Sequence, residues 1–506
     1  MIRKYQNTIF RILVIAALIL LQMYFIIMLP RWMKMNSLVV YFLLEAASMI
    51  LMFSLVADNA NSAYRIFWMG VVLLFPISGH VFYELWGKEG AKKKQHAKIQ
   101  KAIDYYCDKK QPDEELQKRI QSECIENGKI SRYLCNNSYP AYENTEMKYY
   151  EVGEKAFYQL VGDIKGAKKF IFFSFFTIAD GKVWDTICNL LVEKAAQGVE
   201  VKLMYDDAGS IFQLSDKEIK RLKQSDIEIR KFNAIEKNMR RQYFQYRNHQ
   251  KIAIIDGNIS YTGGLNLSDR YANIDSPFGH WKDTAIRLCG EGSWGMTLMF
   301  LGMWDKEMKL TDIEKYRPDI SVKGRGICQP YADGPANNPD NPARDMYHLL
   351  ANTAREELCI MTPYLILDDE TTECLCLAAK SGVNVSIITP GIPDKKRTKL
   401  LTEWNYGPLL KAGVHIYEYT PGFVHAKLCI NDTSGFVGTV NMDFRSFYLH
   451  YECGVWFCES DVRDAVYQDF KETLKHCKEI TLEQWESRPF GVKVRQMVLQ
   501  SFKSQF

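Results

Sequence analysis

His249 is followed two residues later by Lys251 and five residues after that by Asp256; the same order returns as His425, Lys427 and Asp432. Each set ends in a glycine turn and an amide, Gly263-Gly264-Leu265-Asn266 and Gly438-Thr439-Val440-Asn441. One set offers an imidazole, an ammonium and an amide, a combination able to grip a phosphate or attack it. Two sets facing each other place imidazoles on opposite sides of one phosphorus, as in-line displacement requires. A neutral His can attack a phosphodiester and become phosphohistidine, while a protonated His gives its proton to the leaving alcohol. The Lys and Asn pairs hold the non-bridging oxygens and balance their charge, so the reaction needs neither metal nor cofactor. A second alcohol, or water, then attacks from the leaving side, activated by the His that gave up its proton. Neither set completes this cycle alone.

The elements that must position these residues repeat as well. A strand is expected over 169–178, a helix over 181–198 stopped by Gly198, and a strand over 199–210. The same succession returns over 357–366, 369–382 and 383–391, with "AAQGVEVKLMYD" and "AAKSGVNVSIIT" in equivalent places. Strand–helix–strand is the unit of a parallel sheet covered by helices. The sequence therefore implies an α/β fold of two tandem domains, mixed sheets flanked by helices, related by a pseudo-two-fold axis. In a strand, residues i and i+2 share a face, so each His projects beside its Lys. Asp256 and Asp432 fall where each strand turns, and Asp256-Gly257-Asn258 is a hairpin signal.

Three apolar runs precede these domains, at 12–29, 38–57 and 66–86, each long enough to cross a hydrocarbon core as a helix. No small-residue cleavage site follows the first, which argues against a signal peptide. Pro76, Gly79 and His80 give the third the option of bending into a re-entrant element. The division expected is a membrane segment over 1–87, a charged connector over 88–145, and domains over 146–320 and 321–506. Lys88, Lys92, Lys93, Lys94, Lys98 and Lys101 follow the third run, and Arg31 and Lys34 the first, so the catalytic domains are expected on the cytoplasmic side. Arg3, Lys4 and Arg11 pull the other way. The 13 cysteines form no CxxC pair, which suits a reducing compartment.

Other signals are weaker. "GEGSWG" (290–295) matches GxGxxG but reads best as a strand-to-helix turn. Zinc spacings and a P-loop are missing, and a net charge of +4 gives little support for a nucleic-acid partner. His280, His348, His415, His450 and His476 read as structural or surface residues, and Phe173, Phe175, Phe176 and Tyr364 as core, with the lining of an acyl-chain entrance as the alternative. The basic amphipathic tail at 490–506 is expected to pack on the second domain.

The paired His-x-Lys-x4-Asp pattern resembles the phospholipase D superfamily, and within it the bacterial membrane-bound cardiolipin synthases. The resemblance runs through "YDDAGS" (205–210), "HWKDT" (280–284), "MTPYLILDDE" (361–370) and "VGTVNMDFRSFYLHYE" (437–452), as well as 61–87. It implies a phosphatidyltransferase of the bacterial cell membrane that converts two phosphatidylglycerol molecules into cardiolipin and glycerol. A phospholipase D-type hydrolase, or transfer to another alcohol, is the alternative. By resemblance His249, Lys251, Asp256, His425, Lys427 and Asp432 are the catalytic motifs, supported by Asn266 and Asn441. Asp283 and Glu452 match acids that orient an active-site His, with His249 the nucleophile and His425 the acid and base. Ser174 stands where the family commonly has an acid, and the second motif is one residue shorter between Asp432 and Gly438.

Overall fold

A computed structural model of the chain describes residues 35–505 apart from 58–61, 76–77, 88–89, 109–112, 236–244, 321 and 338–339, together with residues 24 and 28. The first sheet runs, edge to edge, through Thr145–Tyr150, Ala285–Gly290, Ile259–Gly263, Ile252–Ile255, Phe170–Phe175, Glu200–Asp206 and Ile227–Phe232. The last three are mutually parallel, and the other pairings antiparallel. The second sheet repeats this order with Ile327–Asp333, His450–Cys458, Ser434–Gly438, Leu428–Ile430, Glu357–Met361, Asn384–Pro390 and His415–Tyr419. It adds Cys477–Ile480 at its edge. The repeat in sequence is thus a repeat of topology, a mixed α/β fold made twice.

The expected units form as Phe170–Phe175, helix Lys182–Ala196 and Glu200–Asp206, and as Glu357–Met361, helix Asp369–Lys380 and Asn384–Pro390. The run at 357–366 is not one strand: the chain leaves the sheet after Met361, and Leu365–Ile366 pairs with Met442–Asp443 instead. The "FIFFSF" strand is buried throughout. Phe170 and Phe172 enter one core, while Ile171, Phe173 and Phe175 enter the other. A near-continuous apolar run is what a strand covered on both faces requires. Removing each such side chain from water contributes about 1.5–3 kcal/mol.

The larger core joins the two halves around helix Gly292–Trp304, all of whose residues are buried. The "GEGSWG" match is the turn from strand Ala285–Gly290 into this helix. The stretch read from sequence as a charged connector contains helices Gly90–Cys107, Glu114–Glu123 and Ile125–Asn136. Ile103, Tyr106, Ile120, Ile130 and Leu134 from these helices enter that core. Helix Gly90–Cys107 approaches so closely that a Cβ at Gly302 would lie 2.6 Å from the Ile103 Cα.

Among the apolar runs, 12–29 lies outside the described residues but for Tyr24 and Met28, and 38–57 falls within helix Met35–Ala57. The third is interrupted: helix Ser62–Leu74 is followed by Ser78–Phe82 and a π-turn at Tyr83–Gly87. Among the described residues no helix is long and apolar enough to cross a membrane. Leu55, Trp68, Val72 and Tyr83 pack together into a small core of their own. This segment meets the second half where the Phe67 and Phe502 rings lie 5.7 Å apart and Ser62 Oγ donates to Asp369 Oδ2 at 3.1 Å. The C-terminal tail packs on the second half, where the Arg445 guanidinium donates to the Gln505 carbonyl and Lys503 pairs with Asp369.

Filling the contact at Gly302 tests the role of the N-terminal helices. Gly302→Val forces them off the buried helix and is expected to lower stability by about 1–3 kcal/mol, read as a drop in the unfolding midpoint. An unchanged midpoint would mean that helix Gly90–Cys107 is not part of the core.

Candidate active site

Two short parallel pairings between the halves assemble the site. Arg247–Asn248 lies along His450–Cys458 with Arg247 opposite His450 and Asn248 opposite Tyr451, and the His249 N–H donates to the Tyr451 carbonyl at 2.9 Å. Continuing that register by one residue sets His249 beside Glu452. In the other half Gly422–Val424 lies along His280–Lys282, with Val424 opposite Lys282, and the His425 N–H donates to the Lys282 carbonyl at 2.7 Å. The same one-residue step sets His425 beside Asp283. Each histidine is therefore held by an acid of the opposite half. Neither sits in a strand, as the spacing had suggested; residues 249–251 and 425–427 lie between ladders.

His249 Nδ1 lies 2.9 and 3.0 Å from the two carboxylate oxygens of Glu452. Glu452 also accepts from Ser446 Oγ at 2.8 Å and from Thr439 Oγ1. His425 Nδ1 lies 2.7 Å from Asp283 Oδ2, and Asp283 Oδ1 accepts from the Thr284 N–H at 2.8 Å. Gly264 makes room for that carboxylate, since a Cβ there would lie 1.8 Å from Asp283 Oδ1. The equivalent position in the other half is Thr439, whose hydroxyl bonds the acid instead. In both pairs the carboxylate occupies Nδ1 and leaves Nε2 as the working atom.

Burial, then the charges of Lys251 and Lys427, hold His249 well below its ordinary range; burial, then Lys427, Lys251, Lys395 and Arg270, do the same for His425. Burial also lowers Lys251 to about 8 and Lys427 to about 7. Each ammonium donates to the carbonyl of its own motif histidine, Lys251 at 2.6 Å, and Lys427 Nζ lies 2.8 Å from His425 Nδ1. Asp283 is raised to about 7 by burial, against the pull of Lys427. Asp283 therefore keeps a proton beside His425 Nδ1 up to near neutrality, while burial keeps both imidazoles neutral.

The remaining residues singled out from sequence are placed unequally. Asn266 accepts from the Thr177 N–H and donates at 2.7 Å to the Tyr271 hydroxyl, whose ring stands edge-on to His425. Asn441 Nδ2 donates to Asp443 Oδ2 at 3.0 Å, and its Oδ1 is buried without a partner among the described residues. Asp256 and Asp432 are not brought to the histidines. Asp256 follows strand Ile252–Ile255, roughly 15 Å from Lys251 at strand rise. There it accepts from the N–H groups of Lys168, Lys169 and Phe170. Asp432 likewise accepts from those of Arg355, Glu356 and Glu357. These carboxylates tie the turn after the motif strand to the start of the neighbouring strand. Ser174 Oγ accepts from Asn248 Nδ2 at 2.9 Å and so supports the residue before His249.

Two residues read from sequence as non-catalytic line the site. Phe176 stands edge-on to His249 with ring centres 5.0 Å apart. His450 lies against His249 with ring centres 5.4 Å apart, and its buried Nδ1 stands 3.6 Å from Glu452 Oε1, just beyond hydrogen-bond length. Its position two residues before Glu452 on one strand was the available signal, because i and i+2 share a face. His249, His450 and Glu452 offer ligand atoms within 4.8 Å of one another, a spacing that could hold a metal ion. Lys251 and Lys427 set positive charge against a cation there.

Two variants separate the two kinds of acid. Glu452→Gln leaves His249 in the wrong tautomer and is expected to lower kcat by about 10²–10⁴-fold. Asp256→Ala strands three N–H groups and is expected to cost about 1–3 kcal/mol of stability, with a much smaller effect on turnover per folded molecule. A Glu452→Gln enzyme of ordinary rate would remove this acid from the mechanism.

The sequence and the fold have counterparts among known proteins. The family model described as "Cardiolipin synthase, PLD-like domain" matches residues 160–276 and 348–474, one segment in each half. The chain is 30% identical over 453 residues to a cardiolipin synthase of Geobacillus kaustophilus, covering 87% of this chain and 88% of that one. It is 32% identical over 448 residues to cardiolipin synthase 2 of Bacillus anthracis, covering 85% and 84%. An uncharacterized protein of Streptococcus mutans is 36% identical over 453 residues, covering 88% and 97%. Among solved structures, phosphatidylserine synthase of Haemophilus influenzae shares the fold at a TM-score of 0.57 and 14% identity, over 74% of this chain and 99% of that one. The chain belongs to the cardiolipin synthase family of phospholipase D-like proteins.

Proposed function

We propose that the chain is a membrane-bound phosphatidyltransferase that joins two phosphatidylglycerol molecules into cardiolipin and releases glycerol. The observation that carries this reading is the pair of histidine–acid contacts made across the halves. Neutral His249 attacks phosphorus through Nε2, its Nδ1–H remaining on Glu452. The bond from phosphorus to the glycerol oxygen breaks, and His425 Nε2–H protonates that oxygen, drawing on the proton kept by Asp283. The hydroxyl of a second phosphatidylglycerol then attacks the phosphorus on His249 and gives its proton to His425. The P–N bond breaks and His249 returns to the neutral state. Lys251 and Lys427 carry the charge that the non-bridging oxygens need throughout.

The same reading makes 1–87 the membrane segment and 146–320 and 321–506 the two catalytic domains, with the helices of 90–136 packed into their shared core and a multi-pass anchor holding them on the cytoplasmic face. Phe42, Leu43 and Ile50 on helix Met35–Ala57 are 66%, 65% and 70% exposed, the kind of surface that a hydrocarbon layer would cover. His249, Lys251, His425 and Lys427 are the catalytic groups, with Glu452, Asp283, Asn266 and Asn441 in support and Asp256 and Asp432 holding the frame.

Expression in a bacterium lacking cardiolipin, followed by lipid mass spectrometry, tests the assignment. New cardiolipin is expected from the wild type and none from His249→Ala or His425→Ala. Phosphatidic acid in place of cardiolipin would identify a hydrolase. The pH dependence has a fixed sign. A lysine with a lowered pKa is charged below that value and neutral above it, so kcat/KM is expected to fall as pH rises through about 7–8. Both histidines stay neutral well below pH 6.5, which puts the acid limb below that value. A rate that climbs steadily to pH 9 would exclude charged Lys251 and Lys427 from substrate binding.

A further inference from the structure

Two cations that act on His425, Arg270 and Lys395, are not used by the steps above. The Arg270 guanidinium has no carboxylate in ion-pair range among the described residues, and its Nε is buried without a hydrogen-bond partner. It is held instead by stacking, 5.3 Å from the Phe278 ring centre and 5.5 Å from that of Trp281. Trp281 in turn lies 5.2 Å from the His425 ring. Lys395 reaches the same histidine by a second aromatic route. Its ammonium stands 5.1 Å from the Tyr364 ring centre, Tyr364 lies 6.2 Å from Phe423, and Phe423 lies 6.0 Å from His425. Its one ion pair among the described residues is a 4.0 Å contact with Asp394, and its side chain is 65% exposed.

Aromatic faces fix where these charges point without neutralising them, so both remain available to an anion. Leaving an arginine partly buried and unpaired costs free energy unless a ligand completes it. Both charges also bear on His425 electrostatically, whereas Arg270 is not among the leading influences on His249. Ile274, four residues after Arg270, and Ile392, three residues before Lys395, are 49% and 40% exposed. Cations set beside apolar residues match the boundary between a phosphate headgroup and acyl chains.

We propose that Arg270 and Lys395 form a second phosphate subsite on the His425 side, which takes the phosphate of the acceptor phosphatidylglycerol. The inference rests on the phosphatidyltransferase reading and adds to it a reason for choosing a lipid acceptor over water. The acceptor carries its phosphate three carbons from the hydroxyl that attacks. Anchoring that phosphate beside His425 presents the hydroxyl to the base and to the phosphorus on His249. The O–P bond forms, the P–N bond breaks, and the hydroxyl proton passes to His425.

The partition of the phosphatidyl-enzyme among acceptors tests this, because a ratio of products is independent of how much enzyme folds. Purified full-length enzyme in mixed micelles is supplied with phosphatidylglycerol, glycerol 3-phosphate and isotopically labelled glycerol. The label is needed because transfer to glycerol regenerates phosphatidylglycerol. Relative to labelled glycerol, Arg270→Ala/Lys395→Ala is expected to lose at least tenfold in transfer to both phosphate-bearing acceptors, and Arg270→Lys to retain most of it. Loss with phosphatidylglycerol but not glycerol 3-phosphate would assign the contact to the lipid body and overturn a phosphate subsite. Equal loss with all three acceptors, or an unchanged ratio, would also overturn it. Lys395→Ala alone, at an exposed position, gives the same ratio where the double variant folds poorly. A wild-type enzyme that transfers to none of the three would instead refute the phosphatidyltransferase reading itself.

Discussion

The site depends on a register. Two- and three-residue parallel pairings, Arg247–Asn248 along His450–Cys458 and Gly422–Val424 along His280–Lys282, run between the halves rather than within them. Each histidine reaches its acid only because the preceding residues are already paired in step with the strand that carries it. A slip of one residue would turn every side chain in the short ladder to its other face and separate both pairs at once. The rest of the fold holds that register. The two sheets meet where Thr262 Oγ1 and Cys453 Sγ lie 3.3 Å apart, and the core around helix Gly292–Trp304 draws residues from both halves.

Burial then gives the paired groups their reactivity. Imidazoles and ammoniums withdrawn from water lose the solvation that favours their charged forms, and two lysines placed against two histidines deepen the effect. Both imidazoles are consequently held neutral, and both ammoniums lose protons more readily than a solvated lysine. A phosphodiester anion relieves both conditions, since its charge favours the ammonium forms and a protonated imidazole. Binding and activation are in this sense one event, driven by the same few charges.

Much of this was legible in the sequence because it is local or periodic. Two copies of His-x-Lys-x4-Asp and the strand–helix–strand units around them fixed the doubling, and the apolar "FIFFSF" run marked a strand covered on both faces. Three parts were not legible. The tie between Asp256 and Lys168–Phe170 is a contact between strands distant in sequence, so a motif residue that holds the frame looked the same as one that does chemistry. The helices within 90–136 bury only a narrow set of apolar residues among many charges, as Leu116 and Ile120 do on Glu114–Glu123, and so present no run. The cluster of Arg270, Phe278, Trp281 and Tyr364 is assembled from a 3-10 turn, a short strand and loops of both halves, and no spacing encodes it.

Position 264 carries a further consequence through its counterpart at 439. Two identical halves meeting on a true two-fold axis would give both histidines the same environment and the same proton affinity. Such an assembly could assign donor and acceptor roles only by chance at each turnover. A single chain is free of that constraint. Glycine on one side admits a carboxylate held by one backbone N–H, and threonine on the other supplies a hydroxyl to its partner. One hydroxyethyl side chain, present in one turn and missing from the other, gives the two histidine–acid pairs different surroundings within one covalent chain.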